Sequence, residues 1–257
     1  MSFFVKENSI VRKIWGKSDT IIFIFAGSAA EFALNKAVDW LYYTGKLPAD
    51  PIGRLFSTVT YARQIVYAEN EAALKAIDQI TAIHAAVESN RQQQIPDWAY
   101  RDVLFMLIHY SIASYELLER KLSLAEKEEV FDVFYRVGAR MNLKGLPTNF
   151  NEWEIMRKEH LEQNLHHGAF TIDLFNQYKK HLGNFRYQLL IQGQILVVPP
   201  AVNQLLNLGK FSWMRLVLPP YQISRKLKLD WVLKSMILPE KYTAQIKDLD
   251  TIPTRSF

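Results

Sequence analysis

Cysteine is missing from all 257 residues. That excludes disulfides, zinc–thiolate sites, iron–sulfur clusters, thiol nucleophiles and covalent attachment of a c-type haem. Glycine and proline are scarce, at 10 residues each, which argues against a turn-rich all-β protein. The phosphate-cradling patterns G-x-G-x-x-G and G-x-x-x-x-G-K-[ST] are absent, as is the zinc motif H-E-x-x-H. No G-x-S-x-G nucleophile elbow occurs. No histidine follows a glutamate by three residues, which removes the E-x-x-H pair of carboxylate di-iron bundles. Long hydrophobic runs are lacking too. Residues 20–34 and 188–202 are the most apolar segments. Each is broken by Gly, Pro or polar residues before the roughly 20 residues needed to cross a bilayer. The first residues, MSFFVKENSIVRKIW, lack the pattern of a secretory signal. The expectation is a cytoplasmic protein.

What is present is apolar and aromatic. Hydrophobic residues make up 49% of the chain, with 15 Phe, 12 Tyr and 6 Trp. A chain of this length and content can bury one sizeable core in a single domain. The net charge is +5. Much of the excess falls at Lys210, Arg215, Arg225, Lys226, Lys228 and Lys234, opposed by Asp230. A solvated basic surface explains this most simply, and peripheral contact with anionic lipid is the alternative. No nucleic-acid partner is expected, and the oligomeric state is left open.

Helical spacing dominates from residue 70 onward, which makes the expected fold class all-α, a single globular multi-helix domain. In the segment 71–88, Ala73, Ile77, Ile80, His84 and Val87 recur every three or four residues on one face. Pro96-Asp97 predicts the start of a helix running to about Lys121. Ser123 with Glu126, and Asn149 with Glu152, predict two further helix starts. Residues 20–25 read equally as a short strand or as the start of a buried helix through Ala26-Gly27-Ser28-Ala29-Ala30. Small residues there would let helices approach closely.

The histidines differ in context. His160, His166 and His167 accompany Glu159 and Glu162 in a polar segment and predict a solvated face. His181 follows Lys179 and Lys180 and predicts exposure. His109, between Ile108 and Tyr110, reads as a hydrogen-bonded core residue. Asp39 and Glu31 are candidate bases, although each reads first as exposed or capping. His84 turns into an apolar face, where each unsatisfied ring nitrogen would cost about 1–3 kcal/mol. A metal would satisfy one nitrogen. A haem needs only one proximal histidine, because the porphyrin supplies four ligands. Periodicity alone still favours core packing.

Three segments add to this: Asp50-Pro51-Ile52-Gly53-Arg54-Leu55-Phe56-Ser57-Thr58, then Ile83-His84-Ala85-Ala86-Val87, then residues 104–114 with His109, followed by Leu122-Ser123-Leu124-Ala125-Glu126. In order and spacing they resemble the family that contains the bacterial latex-clearing rubber oxygenases and the fungal mycophenolic-acid oxygenase. The resemblance covers about residues 14–220 and leaves 221–257 as a basic C-terminal helical extension and tail. It implies an all-α fold around one non-covalent haem b. His84 matches the proximal ligand in the family's H-A-x-V motif. Arg54 and Thr58 match the arginine and threonine of D-P-x-G-R-x-x-x-T, and His109 is a further cofactor-binding candidate. The implied activity is a haem-dependent oxygenase using dioxygen and an apolar, isoprenoid-like small molecule. This chain departs from the pattern at Ser57, where the rubber oxygenases carry lysine, and at Glu88, where they carry a basic residue. It also has Asn35-Lys36 where many members carry His-Pro. Two other readings stay open: a non-catalytic haem or hydrophobic-ligand binding protein, and a helical interaction protein at a membrane surface.

Overall fold

The computed structural model describes residues 2–45, 49–226 and Leu249. Among these residues the chain forms eleven helices and no strand, as the all-α reading expects. They are α1 (Ile10–Trp15), α2 (Ser18–Leu34), α3 (Asp39–Tyr43), α4 (Pro51–Tyr67), α5 (Asn70–Arg91), α6 (Asp97–Leu118), α7 (Leu124–Arg140), α8 (Phe150–Gln163), α9 (Ala169–Val197), α10 (Pro200–Leu206) and α11 (Met214–Lys226). None of the described helices is long and apolar enough to cross a membrane.

The helix starts follow capping chemistry. Ser123 and Glu126 form a reciprocal capping box at α7, and the Asn149 side chain accepts from the Glu152 N–H at α8. At α4 the Asp50 carboxylate accepts the Gly53 N–H at 3.1 Å, and Pro51 occupies the first turn. A Cβ on Gly53 would collide with that carboxylate. The Asp-Pro-x-Gly part of the segment is therefore fully explained as a helix cap. Arg54 and Thr58 are what it leaves over.

α2 is the centre of the domain. It packs chiefly against α6 and α9, and its buried residues run from Ser18 to Leu34. The ambiguous residues 20–25 are helical because α2 is buried nearly all round and needs no amphipathic period. Its small residues act through packing: Gly27 leaves the space in which the Tyr110 ring lies, and a Cβ there would strike the ring.

The periodic face predicted for 71–88 holds for half of α5. Ala73 and Ile77 are buried, whereas Ile80, His84 and Val87 are half-buried and Ile83 is 47% exposed. The second half of α5 runs along the edge of the bundle, so His84 sits at the margin of the core and not in its centre. The basic stretch also changes character. Arg225 is spent on internal ion pairs, with Nε 2.8 Å from Asp19 Oδ2 and Nη2 2.5 Å from Glu119 Oε1. Lys228, Asp230, Lys234 and most of the 221–257 extension lie outside the described residues.

Candidate functional site

Arg54, Ser57 and Thr58 occupy one side of α4. The Arg54 guanidinium donates through Nη1 to Ser57 Oγ at 2.9 Å and to Thr58 Oγ1 at 3.3 Å. Both hydroxyls donate back to the Arg54 carbonyl, at 2.7 and 3.3 Å. Burial lowers the Arg54 pKa from its usual value, yet an arginine stays charged. No carboxylate among the described residues pairs with it.

His84 on α5 feels that charge. Burial first, and Arg54 second, push its pKa below 6.5, against an opposing pull from Glu88. The imidazole is therefore neutral at pH 7, the form that binds metals. Its Nδ1 is buried with no hydrogen-bond partner. The ring stands edge-on to Tyr100 at 5.2 Å. Tyr100 donates to Glu88 Oε1 at 3.1 Å, and the same oxygen accepts the Ile95 N–H at 2.8 Å. The departing residue Glu88 thus ties the α5–α6 turn together.

The structure brings His84, Arg54 and Thr58 into one neighbourhood and leaves His109 out of it. His109 follows Tyr100 by nine residues on α6, about 13 Å along the axis. Burial, then the charge of Arg157, push it down to about 4, and the Val197 backbone is its hydrogen-bond partner. It is half-buried beside Tyr110, away from the Arg54–His84 group.

A second cluster was not foreseen. Glu31 of α2 is fully buried, and Arg157 of α8 grips both its oxygens. Tyr110 donates to Glu31 Oε2 at 2.7 Å. His160 is 3% exposed, with Nε2 2.8 Å from Glu31 Oε1 and Nδ1 2.7 Å from Asp102 Oδ1. Asn35 and Asn164 donate to Asp102 at 3.1 and 3.0 Å. Burial pushes the Glu31 carboxyl up, but Arg157 and His160 outweigh it and hold it well below the usual range. Burial disfavours charge on His160 too, yet hydrogen bonds to Asp102 and Glu31 raise its pKa above 6.5. Two carboxylates thus face one guanidinium and one imidazole, so neither buried acid is left without a partner.

Two expectations are thereby corrected. His160 is not on a solvated face; only His166 and His167 are exposed. Glu31 is neither exposed nor capping. The available signal was a glutamate inside an apolar helix and an aspartate inside another, each requiring a buried cation. Asp39, the other candidate base, pairs with Arg91 at 2.7 Å.

The third feature is an apolar cavity of about 300 Å³. It forms where α9 bends. Gly183 has φ 71° and ψ 169°, a conformation essentially confined to glycine. Tyr178 and Leu182 before the bend, and Phe185, Leu189 and Leu190 after it, line the cavity together with Phe23 and Ala29 of α2 and Trp213 near α11. Pro51, Ile52, Leu55 and Phe56 of α4 complete one wall. Arg54, Thr58 and His84 do not line it. At 3.6 residues per turn, 52, 55 and 56 project from one side of α4, and 54, 57 and 58 from the other. α4 is thus a partition, with the cavity on one side and the Arg54–His84 group on the other.

The domain is all-α and holds an apolar chamber and, across α4, a desolvated histidine with one ring nitrogen unpartnered. The chain itself belongs to the family described as ER-bound oxygenase mpaB/B′/rubber oxygenase, catalytic domain, which matches residues 15–232. This is a family of oxygenase catalytic domains, for which dioxygen and an organic substrate are the reactants. No curated protein and no solved structure matches the chain.

Proposed function

We propose that the protein is a haem b-dependent oxygenase of apolar, isoprenoid-like molecules, with His84 as the iron ligand. The supporting observation is the buried, unpartnered Nδ1 of a neutral His84 beside an arginine with no acid partner. These residues fit the group. A neutral imidazole ligates iron, and an unpaired guanidinium matches a haem propionate. When bound, haem b supplies the iron chemistry that activates dioxygen. His84 would hold the cofactor, and Arg54 would anchor a carboxylate at its edge. Thr58 shares its hydroxyl only through 3.3 Å contacts, so it can turn to donate to a polar group of a bound molecule. The cavity lies across α4 from this group, so it is a separate chamber and not the place of the iron chemistry. A cysteine-free chain needs no oxidising compartment, and this reading keeps the protein in the cytoplasm.

Expression with added haem tests the proposal. The purified protein should show a Soret band that His84→Ala abolishes. Oxygen uptake with polyprenyl substrates should need Arg54 and Thr58. A folded but colourless protein under these conditions sinks the haem reading. A Soret band without oxygen uptake by any polyprenyl chain leaves a non-catalytic binding protein.

A further inference from the structure

The cavity wall is largely apolar, but two charged side chains meet it, Asp19 and Arg186, along with the phenols of Tyr178 and Tyr221. The two charges are not equivalent. Asp19 is neutralised, since its Oδ2 lies 2.8 Å from Arg225 Nε and accepts the Tyr221 hydroxyl at 2.9 Å. Arg186 makes no hydrogen bond and no ion pair among the described residues, and its Nε is buried without a partner. The chamber therefore presents one uncompensated positive charge. Arg186 stands three residues beyond the Gly183 bend, so the break in α9 that opens the chamber also carries this guanidinium to its wall.

Arg186 is half-buried at the cavity wall, with its Nε out of reach of solvent, so an acidic group entering the chamber would find an unpaired guanidinium there. The guanidinium fork matches a carboxylate or phosphate through parallel hydrogen bonds, and the low-polarity wall strengthens that attraction. The remaining lining offers aliphatic and aromatic contacts to a hydrocarbon chain. A volume of about 300 Å³ is at the lower end of the roughly 300–1,000 Å³ of small-molecule sites. We infer that the cavity binds a single-chain anionic amphiphile, its chain among Phe23, Leu189 and Leu190 and its acidic head on Arg186. The cavity lies across α4 from the Arg54–His84 group, so this site is separate from the proposed haem site. It makes no use of His84.

Calorimetry on the haem-free protein tests it with three probes of equal chain length: palmitate, hexadecyl phosphate and hexadecanol. The acids should bind at least about tenfold more tightly than the alcohol, the scale of one charged hydrogen-bonded pair. Arg186→Gln should erase that preference while leaving hexadecanol affinity unchanged, and Arg186→Lys should keep most of it. Leu189→Trp, which fills the chamber, should weaken all three, with circular dichroism confirming the fold. The relative strength of palmitate and hexadecyl phosphate identifies the head group as carboxylate or phosphate. Equal affinity of the native protein for palmitate and hexadecanol overturns the proposal. So does an Arg186→Gln variant that binds palmitate undiminished, or failure of every probe to bind. The Soret band of haem-loaded Arg186→Gln should match that of the native protein. Loss of lipid binding and loss of haem therefore read out separately.

Discussion

His160 has a carboxylate within 2.8 Å of each ring nitrogen, whereas His84 buries Nδ1 against nothing that could bond to it. One imidazole lies between two carboxylates that raise its pKa, enclosed by α2, α6 and α8. The other is neutral and sits at the margin of α5. The same contrast separates their arginines. Arg157 is locked on Glu31, while Arg54 has only two hydroxyls as partners. A buried polar group paired with an opposite charge inside the protein holds the fold together. A polar group left short of a partner, at a site where solvent does not supply one, is open to a ligand. Burial alone does not distinguish the two; pairing with a carboxylate does.

The comparison can be broken in four ways, taken here from the largest expected effect down. Arg157→Met leaves Glu31 buried without its cation, so urea unfolding should show a loss of about 3–5 kcal/mol. A loss below 1 kcal/mol would mean that the cluster is not structural. His160→Gln should cost about 1–3 kcal/mol and should also change the pH profile. The folded pKa of His160 is raised above 6.5, so its contribution is complete below that pH and fades as pH climbs through the raised value. Glu31 is held below 4.5, so its contribution is complete above that pH and fades in acid. The native protein should therefore weaken on the alkaline side, and His160→Gln should lose that limb and keep the acidic one. Gly183→Ala meets no neighbour within 4 Å, so its cost is purely conformational, about 1–3 kcal/mol. Thermal unfolding measures it, and reduced palmitate binding should accompany it. His84→Ala should change stability by about 1 kcal/mol or less, since no hydrogen bond is lost, yet it should abolish haem retention. A large destabilisation in His84→Ala would make that residue a fold element like His160.

Much of the fold was legible because it is written in local signals. Ser123, Asn149 and Asp50 mark helix starts through their own side chains, and the structure uses each as a cap. The Arg54–Thr58 and His84 pairing was legible only through resemblance, since spacing alone does not bring α4 beside α5. The Glu31–Arg157–His160–Asp102 cluster was not legible. Its members come from three helices, and the segment holding Arg157 and His160 looks polar throughout. Helix periodicity averages over all faces, so a narrow buried strip of charge within a polar helix is lost. In the sequence Gly183 reads as no more than a break between helix-length segments, because a glycine shows that an unusual φ is allowed but not that the chain adopts one.

The hollow at Gly27 has a mechanical consequence. The Tyr110 ring rests against the α2 backbone there, and its hydroxyl reaches Glu31, one turn further along the same helix. Sliding α2 by one turn in either direction would place Phe23 or Glu31 under the ring, and neither leaves room for it. Tyr110 and Gly27 therefore work as a detent that sets the register of α2 against α6. With that register fixed, Glu31 meets Arg157 on one side of the helix, and Ile22 and Ala29 meet the cavity on the other.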